Sequence, residues 1–322
     1  MCPLVSILIP VYNCRPWVAR AVESALRQTW PNKEIIVLDD GSTDGSMEAI
    51  APYQERIQVE SAPNGGQNVS RNRLTALSSG EWLVYLDADD ELASDSVEHK
   101  MKYTGSADLI FGSSELATFR GLERVDSTKQ ISLDYSDAWI AAFQWKYPNT
   151  SAAFFNRKAL LRAGGWNEDI KNCTDYSLYF SMLLRGCRFK AAPEAWSLYR
   201  QWSITQAVNE APLRKMTTRL EVMRQAADGL RQMEQMTSER AQAFLDASLA
   251  VIRTIYPLDV GLAMKEYQVL MHWLPTYQPS KERFPASYVR AYNMLGFALT
   301  ERIAELKRSI MPKHVQRRPM QF

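Results

Sequence analysis

Several features that define other classes of protein are scarce or absent in this chain. It has four cysteines in 322 residues and no C-x-x-C pair, which argues against both a disulfide framework and a zinc site. Its three histidines lie outside any recognisable motif. No apolar run approaches the roughly 18–20 residues of a membrane-spanning helix. The net charge is only +2, so the sequence does not predict a nucleic-acid-binding protein.

The familiar glycine-rich nucleotide motifs are also missing. Neither G-x-G-x-x-G nor the P-loop pattern G-x-x-x-x-G-K-[ST] occurs. The first residues lack a basic segment followed by an apolar one, so no signal peptide is expected, and the sequence predicts a cytoplasmic protein with reduced thiols. The chain does have a 46% hydrophobic composition and a length suited to one large or two moderate domains, which is enough for a sizeable core.

The most informative stretch is an apolar run that ends in acid. Residues 82–86 have the composition of a buried strand, and Asp87, Asp89 and Asp90 follow within four positions. A core does not tolerate unpaired carboxylates, so these side chains should emerge at the end of the strand, in water or around a cation. An Asp-x-Asp pair can hold one hard cation such as Mg²⁺ or Mn²⁺. The alternative is an acidic turn that caps a helix, a role that suits Asp90.

The segments upstream alternate between strand and helix patterns. Strands are predicted at 5–11, 34–38, 57–60 and 82–86, and helices at 17–28, 46–53 and 69–78. This alternation predicts a parallel α/β sheet, whose ligands bind at the carboxyl ends of the strands. Tyr12, Asp40 and Asp87 each follow a predicted strand, so we expect them to contribute to one site.

Taken in order, these segments resemble the successive motifs of glycosyltransferase family 2. The matching stretches are residues 6–13 (SILIPVYN), 35–44 (IIVLDDGSTD), 64–72 (NGGQNVSRN) and 86–90 (LDADD). The resemblance covers about residues 4–205. It implies an α/β GT-A fold, a Rossmann-like and mostly parallel sheet flanked by helices. It also implies inverting transfer from a nucleotide-sugar donor, usually a UDP-sugar, with a divalent cation, Mn²⁺ or Mg²⁺.

The resemblance implies a set of nucleotide contacts. They are Pro10, Val11, Tyr12, Asp40, Arg71, Asp87 and Ala88. Tyr12 offers a ring on which a base can stack, although it could instead cover the edge of the sheet. Asp40 is expected to accept a hydrogen bond from the base, whereas Asp39 is expected to serve the loop. Arg71 has the alternative of a solvated helix arginine.

The same resemblance divides the acidic pair between two roles. Asp89 is expected to bind the cation directly. Asp87 is expected to face the ribose or a metal-bound water, and so to share the metal site.

Two downstream stretches resemble the acceptor side of the family's site. Residues 164–169 (GGWNED) correspond to a glycine-glycine-aromatic loop, which makes Gly165, Trp166 and Thr174 the implied acceptor or sugar contacts. Asp175 takes the position of the base that deprotonates the acceptor hydroxyl. The family usually has Glu-Asp here, where this chain has Thr174-Asp175. The alternative for Asp175 is a carboxylate favoured by the helix dipole.

Residues 193–202 (PEAWSLYRQW) resemble the family's closing strand, which ends Tyr-Arg-x-His. Trp202 stands in place of the histidine, so any metal or diphosphate contact made by that histidine is lost. Arg200 is expected to hold phosphate instead, or Trp202 to form a wall of the donor site. Three aromatic residues before this strand either line an acceptor sugar or belong to the core. These are Trp139, Trp145 and Tyr147.

The pattern becomes helical near residue 206. We therefore expect a nucleotide-sugar-binding, catalytic domain over 1–205 and a helical region over 206–322, which carries 17 basic and 11 acidic residues. Its apolar stripes, such as Leu295, Leu299 and Ile303, suit core or homodimer contacts. The basic tail would instead suit peripheral contact with the inner face of an anionic membrane and a lipid-linked acceptor.

Three hypotheses about function follow. The first is an inverting, metal-dependent glycosyltransferase that moves a sugar to a glycan or lipid-linked acceptor, in bacterial surface polysaccharide synthesis. The second is a non-catalytic nucleotide-sugar-binding or scaffold protein on the same fold, which the departures at Thr174 and Trp202 keep open. The third is a nucleotidyltransferase, against which the match through Asp175 argues. The sequence identifies neither the sugar nor the acceptor.

Overall fold

The computed structural model describes residues 2–202 and 212–310, with side chains up to residue 307. The chain divides into two compact units. Residues up to 138 and 147–210 form the first, and residues 139–146 join the stretch from 211 onward to form the second. The predicted domain boundary at 205/206 lies outside the described residues. All four cysteines lie inside them and are free thiols.

The first unit is built on one sheet. Its strands are β1 Val5–Val11, β2 Lys33–Asp39, β3 Gln58–Ser61, β4 Trp82–Tyr85, β5 Glu91–Leu92, β6 Leu109–Arg120, β7 Glu123–Gln130, β8 Ala153–Asn156 and β9 Phe189–Gln201. The strand order is β3-β2-β1-β4-β8-β6-β9-β5, and β7 forms a hairpin with β6. The first four strands are parallel, and β8 runs antiparallel to its neighbours β4 and β6. The sheet is therefore mixed but mostly parallel on its N-terminal side, as predicted.

Helices and two short 3-10 turns connect these strands. The helices are α1 Val18–Leu26, α2 Ser46–Ile50, α3 Gln67–Leu77, α4 Ser96–Met101, α5 Ala138–Phe143, α6 Arg157–Arg162 and α7 Thr174–Leu184. The 3-10 turns are Ala51–Tyr53 and Thr150–Ala152. Residues of β1, β4 and α1 share one buried apolar cluster, which is why these strands are almost continuously apolar.

The parallel strands end at one edge of the sheet. Val11 is in register with Asp39, and the backbone N–H of Asp40 donates to the Val11 carbonyl at 2.8 Å. The N–H of Leu86 donates to Leu8, which keeps the segment after β4 beside β1. The loops after β1, β2 and β4 consequently open at the same edge, where ligands of open α/β sheets bind.

A bulge in β9 brings it very close to β6. The register shifts between Gly112 and Ser113, so that three residues of β9 have no partner there. A Cβ at Gly112 would lie 2.5 Å from the carbonyl oxygen of Ala195, so only glycine fits at this position. Lys100 of α4 is fully buried at the same place.

The second unit is helical. Its long helices are α8 Pro212–Gln232, α9 Ser238–Ile255, α10 Val260–Trp273 and α11 Ala286–Ile310. Thr237 and Asp259 cap α9 and α10 by accepting backbone N–H groups, as helix N-caps do. Helix α11 is kinked at Gly296, where φ is +73°. No helix among the described residues has both the length and the apolar character needed to cross a bilayer.

Candidate active site

The acidic segment after β4 leaves the core only in part, at Asp87 and Asp89. Asp87 remains partly exposed, and its Oδ1 accepts a hydrogen bond from Arg71 Nη2 at 2.8 Å. Asp89 is also partly exposed, and its Oδ2 accepts from the indole Nε1 of Trp202 at 2.9 Å. Ala88, between them, is 6% exposed and belongs to the core. Its methyl group therefore packs in the core, and the expected contact of Ala88 with a nucleotide stays a prediction.

Asp90 is fully buried, so the prediction that it emerges at the end of the strand was wrong, and it does not serve the alternative role of a cap for the next helix, whose N-cap is Asp95. Its Oδ2 accepts from the hydroxyl of Ser151 at 2.6 Å and from the amide of Asn149 at 3.1 Å. Its Oδ1 accepts from the backbone N–H of Arg200 at 2.9 Å. Burial first, and then the charges of Asp89 and Asp87, raise the pKa of Asp90 well above its usual range. Asp90 thus connects the acidic segment to β9 through its hydrogen bond with the backbone of Arg200.

Arg71 of α3 links the acidic segment to the start of α7. It is 3% exposed, which excludes the alternative of a solvated helix arginine. Besides Asp87, its guanidinium contacts the hydroxyl of Thr174, with 3.4 Å between Nη1 and Oγ1. Its Cζ lies 4.4 Å from the ring centroid of Trp166, within the range of a cation–π interaction.

Trp166 and Thr174, the predicted acceptor contacts, are both buried. Trp166 is 1% exposed and meets the ring of Tyr85 edge-on, with centroids 5.1 Å apart. Thr174 is 7% exposed and faces Arg71. Both side chains therefore contact the arginine, and their role as acceptor contacts stays a prediction.

Asp175 lies in the first turn of α7. Cys173, just before the helix, has a φ of +58°, a left-handed conformation that turns the chain into α7. The Asp175 carboxylate is partly buried and accepts from the N–H of Tyr176 at 2.9 Å. Burial raises its pKa, the nearby charge of Asp87 raises it further, and Arg71 lowers it. These couplings place Asp175 within electrostatic reach of the acidic segment.

Two asparagines that the sequence analysis did not single out hold the acceptor loop. Asn72 accepts from the N–H of Trp166 at 3.0 Å and donates to its carbonyl at 2.8 Å. Asn68, one helical turn earlier, donates to the carbonyl of Asn167 at 2.6 Å. A Cβ at Gly165, whose φ is +71°, would lie 3.0 Å from Asn72 Oδ1. The spacing of the two asparagines in the glycine-loop motif was the available signal.

The two carboxylates at the end of β2 both hold loops, as was predicted for Asp39, and the expected contact of Asp40 with a base stays a prediction. Both oxygens of Asp40 accept backbone N–H groups, from Gly65 at 2.8 Å and from Gly66 at 2.9 Å. Asp39 accepts from the N–H of Ser42 at 2.9 Å. Asp40 thus holds the glycine loop that leads into α3, and Asp39 holds its own loop.

The end of β1 presents only part of the predicted base-binding surface. The ring of Tyr12 is 55% exposed at the edge of the sheet, and Pro10 is partly exposed. Val11 is 1% exposed and points into the core, so its side chain does not face a base. Tyr12 is therefore the residue of this group with a ring available for stacking.

Arg200 is placed where it cannot hold phosphate. Its side chain is fully buried, and its Nη2 contacts Glu91 Oε1 at 2.6 Å. The guanidinium also lies 4.2 Å from the ring centroid of Trp17 and donates to the backbone carbonyl of Asp89. The sequence analysis missed this role because the pairing with Glu91 depends on the contact between β5 and β9.

The aromatic residues before β8 do not line an open site. Trp139 and Tyr147 are buried, in the second and the first unit respectively. Trp145 lies in the second unit under Arg219, whose Cζ is 3.9 Å from its ring centroid. Of the two alternatives for these three aromatic residues, the structure therefore supports packing within the protein and not the lining of an acceptor-sugar site.

With this geometry in view, comparisons with known proteins become informative. Residues 6–161 match the sequence model of a family described as glycosyl transferase family 2. Residues 6–161 of this chain belong to glycosyltransferase family 2. Among its relatives, a chondroitin synthase of Pasteurella multocida is 31% identical over 187 residues, which are 56% of this chain and 19% of that protein. The family member described here thus aligns with about a fifth of that relative's length.

Solved structures share the fold of this family member. S. aureus TarS 1-349 in complex with UDP-GlcNAc has a TM-score of 0.67 at 17% identity, covering 94% of this chain and 92% of that one. Mannosyltransferase PcManGT from Pyrobaculum calidifontis, in complex with GDP-Man and Mn²⁺, has a TM-score of 0.52 at 16% identity, covering 96% and 88%. At these identities the likeness identifies a GT-A fold.

The family's expected cation has a candidate donor set here. Asp87 and Asp89 present carboxylate oxygens two residues apart, which suits a hard divalent ion. Within residues 2–202 and 212–307, no group of three His, Cys, Asp or Glu side chains could hold a metal. A cation held by these two carboxylates would need its remaining ligands from other groups, such as a diphosphate and water.

Proposed function

We propose that this protein is an inverting glycosyltransferase. It transfers a sugar from a nucleotide donor, UDP-linked in our proposal, to a hydroxyl group of a glycan or lipid-linked acceptor during the synthesis of a surface polysaccharide. The observation that carries the proposal is the linkage through Arg71. This buried arginine contacts Asp87, at the end of β4, and Thr174, next to the candidate base Asp175.

The roles of the protein's own groups follow from this geometry. Asp175 takes the proton of the acceptor hydroxyl while that oxygen attacks the anomeric carbon. The bond between the anomeric carbon and the diphosphate oxygen breaks from the opposite face, which inverts the configuration. Arg71 fixes the distance between donor and acceptor sides, and Tyr12 stacks on the base. A divalent cation held by Asp87 and Asp89 would supply positive charge at the departing diphosphate.

The relatives support three parts of this proposal at a coarse level: polysaccharide synthesis, a nucleotide-sugar donor and a divalent cation. A chondroitin synthase builds a polysaccharide, TarS was solved with UDP-GlcNAc, and the mannosyltransferase was solved with GDP-Man and Mn²⁺. The TarS structure has the higher TM-score of the two, 0.67 against 0.52 for the mannosyltransferase. We therefore favour a uridine nucleotide, and a guanosine nucleotide is the competing outcome.

A donor panel tests the proposal. The full chain is incubated with UDP-sugars and GDP-sugars, with Mn²⁺ or with EDTA, and nucleotide release is measured together with the thermal shift. We expect stabilisation by one nucleotide and cation-dependent release of UDP from one of its sugars. Stabilisation without release, in the presence of acceptor extracts, would instead favour a non-catalytic binding protein. Release of diphosphate from a nucleoside triphosphate would favour a nucleotidyltransferase.

We further propose that the second unit contacts an anionic membrane. Beyond the kink of α11, the apolar side chains of Leu299, Ile303 and Leu306 are 52%, 40% and 59% exposed. Exposed Arg302 and Lys307 lie beside them. From Lys307 to the end, the sequence has five Lys and Arg residues and no acidic residue. An apolar stripe next to cations complements an anionic lipid surface.

Vesicle binding tests this placement. The full chain and a Leu299→Glu, Ile303→Glu variant are sedimented with vesicles of phosphatidylcholine alone or with phosphatidylserine. We expect binding only to the anionic vesicles, weakened by the two substitutions and by salt. If equal amounts of protein sediment with the two types of vesicle, the proposal is excluded. A dimer that dissociates in the variant would assign this face to a second copy of the chain.

A further inference from the structure

The indole of Trp202 contacts the carboxylate proposed to bind the cation. Its Nε1–H donates to Asp89 Oδ2 at 2.9 Å. An indole N–H can only donate, so Trp202 cannot be a metal ligand. It occupies the position at which the resemblance led us to expect a histidine. The contact therefore needs an explanation other than metal ligation.

The surroundings of Trp202 hold its ring in place. The ring is partly buried and lies 6.2 Å, between centroids, from that of Trp17, which is fully buried. Trp17 in turn packs under the guanidinium of Arg200 and edge-on to Phe119, at 5.1 Å. Packing against this part of the core limits the orientations open to the indole, and the observed one directs its N–H at Asp89.

The end of β9 fixes Asp89 at two points. Arg200 donates to the backbone carbonyl of Asp89, and Trp202 donates to its carboxylate. A third contact from the same strand, the N–H of Arg200 to Asp90, holds the next residue. β9 thus sets both the backbone and the side-chain orientation of the candidate ligand.

We propose that Trp202 is a positioning residue for the cation site. Its N–H selects one orientation of the Asp89 carboxylate, so that Asp89 is ready to bind a cation when the nucleotide diphosphate arrives. Outer hydrogen bonds of this kind commonly decide how well a metal ligand works. They matter most where the protein supplies few ligands, as it does at Asp87 and Asp89. This inference rests on the proposed donor and cation chemistry.

The site should also bind cation and nucleotide cooperatively. Two carboxylates leave most of the coordination sphere to the diphosphate and water. Each ligand should therefore raise the affinity for the other by the same factor. Loss of Trp202 should weaken cation binding in the ternary complex and leave nucleotide binding without cation unchanged.

Matched tryptophan variants test this. Trp202→Phe keeps an aromatic ring but loses the N–H. Trp30→Phe makes the same change at a tryptophan whose Nε1 donates to the Pro3 carbonyl at 3.1 Å, away from the acidic segment. Mn²⁺ affinity is measured on the full chain by the electron paramagnetic resonance signal of free Mn²⁺, with and without UDP. UDP affinity in EDTA is measured by calorimetry.

We expect Trp202→Phe to weaken Mn²⁺ binding in the presence of UDP about tenfold or more, as loss of an outer hydrogen bond does. The affinity for UDP in EDTA should stay within about twofold of the wild-type value, because the hydrogen bond from Trp202 acts on Asp89, the cation ligand. Trp30→Phe should match the wild type in both measurements. If Trp202→Phe fails to fold, benzothienylalanine at position 202, which replaces N–H by sulfur at nearly the same shape, gives the same comparison.

The outcomes separate the inference from the proposed function. Wild type and Trp202→Phe with equal Mn²⁺ affinity beside UDP would overturn the positioning role while leaving a cation-dependent enzyme intact. A parallel loss of UDP affinity in EDTA would also overturn it, since the ring would then act on the nucleotide as a wall. A wild type that binds no Mn²⁺ even with UDP would overturn the cation chemistry itself.

Discussion

Asp175 is the side chain on which the proposed chemistry most directly depends. We predict that Asp175→Asn keeps the fold and the affinity for the donor but lowers kcat by about 10²–10⁴, the usual contribution of a general base. Asp126→Asn, a change of the same type at an exposed position of β7, is the control and should retain full activity. Initial rates at saturating donor, together with circular dichroism, measure both. Turnover by Asp175→Asn near the wild-type rate would refute the role of base.

The environment of Asp175 also predicts a pH dependence. Burial raises the pKa of this carboxyl, so it becomes protonated at a higher pH than an ordinary aspartate. A base works only when ionised, so kcat should fall on the acidic side below that raised pKa. Arg71 lowers the same pKa, whereas Asp87 raises it. Arg71→Gln should therefore move the acidic limb of the kcat profile to higher pH, and a limb that stays in place would contradict the coupling.

Lys100 offers a prediction about stability that is independent of the site. Burial lowers the pKa of this amine from 10.5 to about 7. Between those pH values the unfolded chain binds the proton and the folded chain does not, so stability rises with pH across this window. The full window corresponds to a few kcal/mol, at about 1.4 kcal/mol per pKa unit. The loss of folding stability caused by the buried amine is fully present below pH 7 and disappears as the pH approaches 10.

Lys100→Met should remove that penalty. At pH 7 the free energy of unfolding of the variant should exceed that of the wild type by about 1–3 kcal/mol, so the variant should unfold at a higher urea concentration. The gain is expected because a buried amine without compensation is replaced by an apolar side chain of similar length. The difference should shrink at pH 9.5. Urea titrations at the two pH values measure it, with Lys102→Met, at an exposed position of the same segment, as the control. A difference independent of pH would show that the folded chain, like the unfolded one, keeps the amine protonated at both pH values, which would contradict the lowered pKa.

At the scale of elements, helix α3 organises the site more than any single motif. Its start is set by the glycine loop held by Asp40, and Arg71 extends from it to the acidic segment. Asn68 and Asn72 extend from the same helix to the acceptor loop. One helix therefore fixes the relative position of donor and acceptor groups.

Loss of Asn72 should therefore act on the acceptor side. We predict that Asn72→Ala lowers kcat/KM for the acceptor about tenfold or more and destabilises the fold by about 1–3 kcal/mol, because buried backbone groups of Trp166 lose their partners. The donor KM should change little. Arg73→Ala, on the exposed side of the same helix, is the control. Steady-state kinetics with each substrate varied in turn measure the effect, and an equal rise in both KM values would contradict the assignment.

The elements themselves were largely predictable from sequence, because the signals are local. The runs that became β1, β2 and β4 are almost wholly apolar, and each is followed by polar residues at the same edge of the sheet. The direction of individual side chains was less predictable. Trp166 and Arg200 were expected to face ligands, but each is buried by partners from distant elements. Those partners, Arg71 for the first and Glu91 for the second, become neighbours only through the tertiary fold.

At the scale of the whole molecule, the division into units does not follow the order of the sequence. Residues 139–146 lie between parts of the first unit but belong to the second. Within the second unit, Phe143 contacts Phe244, with ring centroids 5.5 Å apart. Trp145 lies under Arg219. The helical composition after residue 206 could not reveal this, because a segment of eight residues carries no pattern of its own.

This division predicts that residues 1–202 do not form a stable protein alone. Truncation would expose the apolar side chains of Trp139 and Phe143, which residues after 211 help to bury. We expect the fragment to aggregate or to melt without a cooperative transition. The full chain should unfold cooperatively, in one sharp transition or in two. Replacing both aromatic residues by serine in the fragment should improve its solubility, since an exposed apolar patch promotes association. Size-exclusion chromatography and calorimetry measure this, and a monomeric fragment that melts as cooperatively as the full chain would contradict the assignment of residues 139–146.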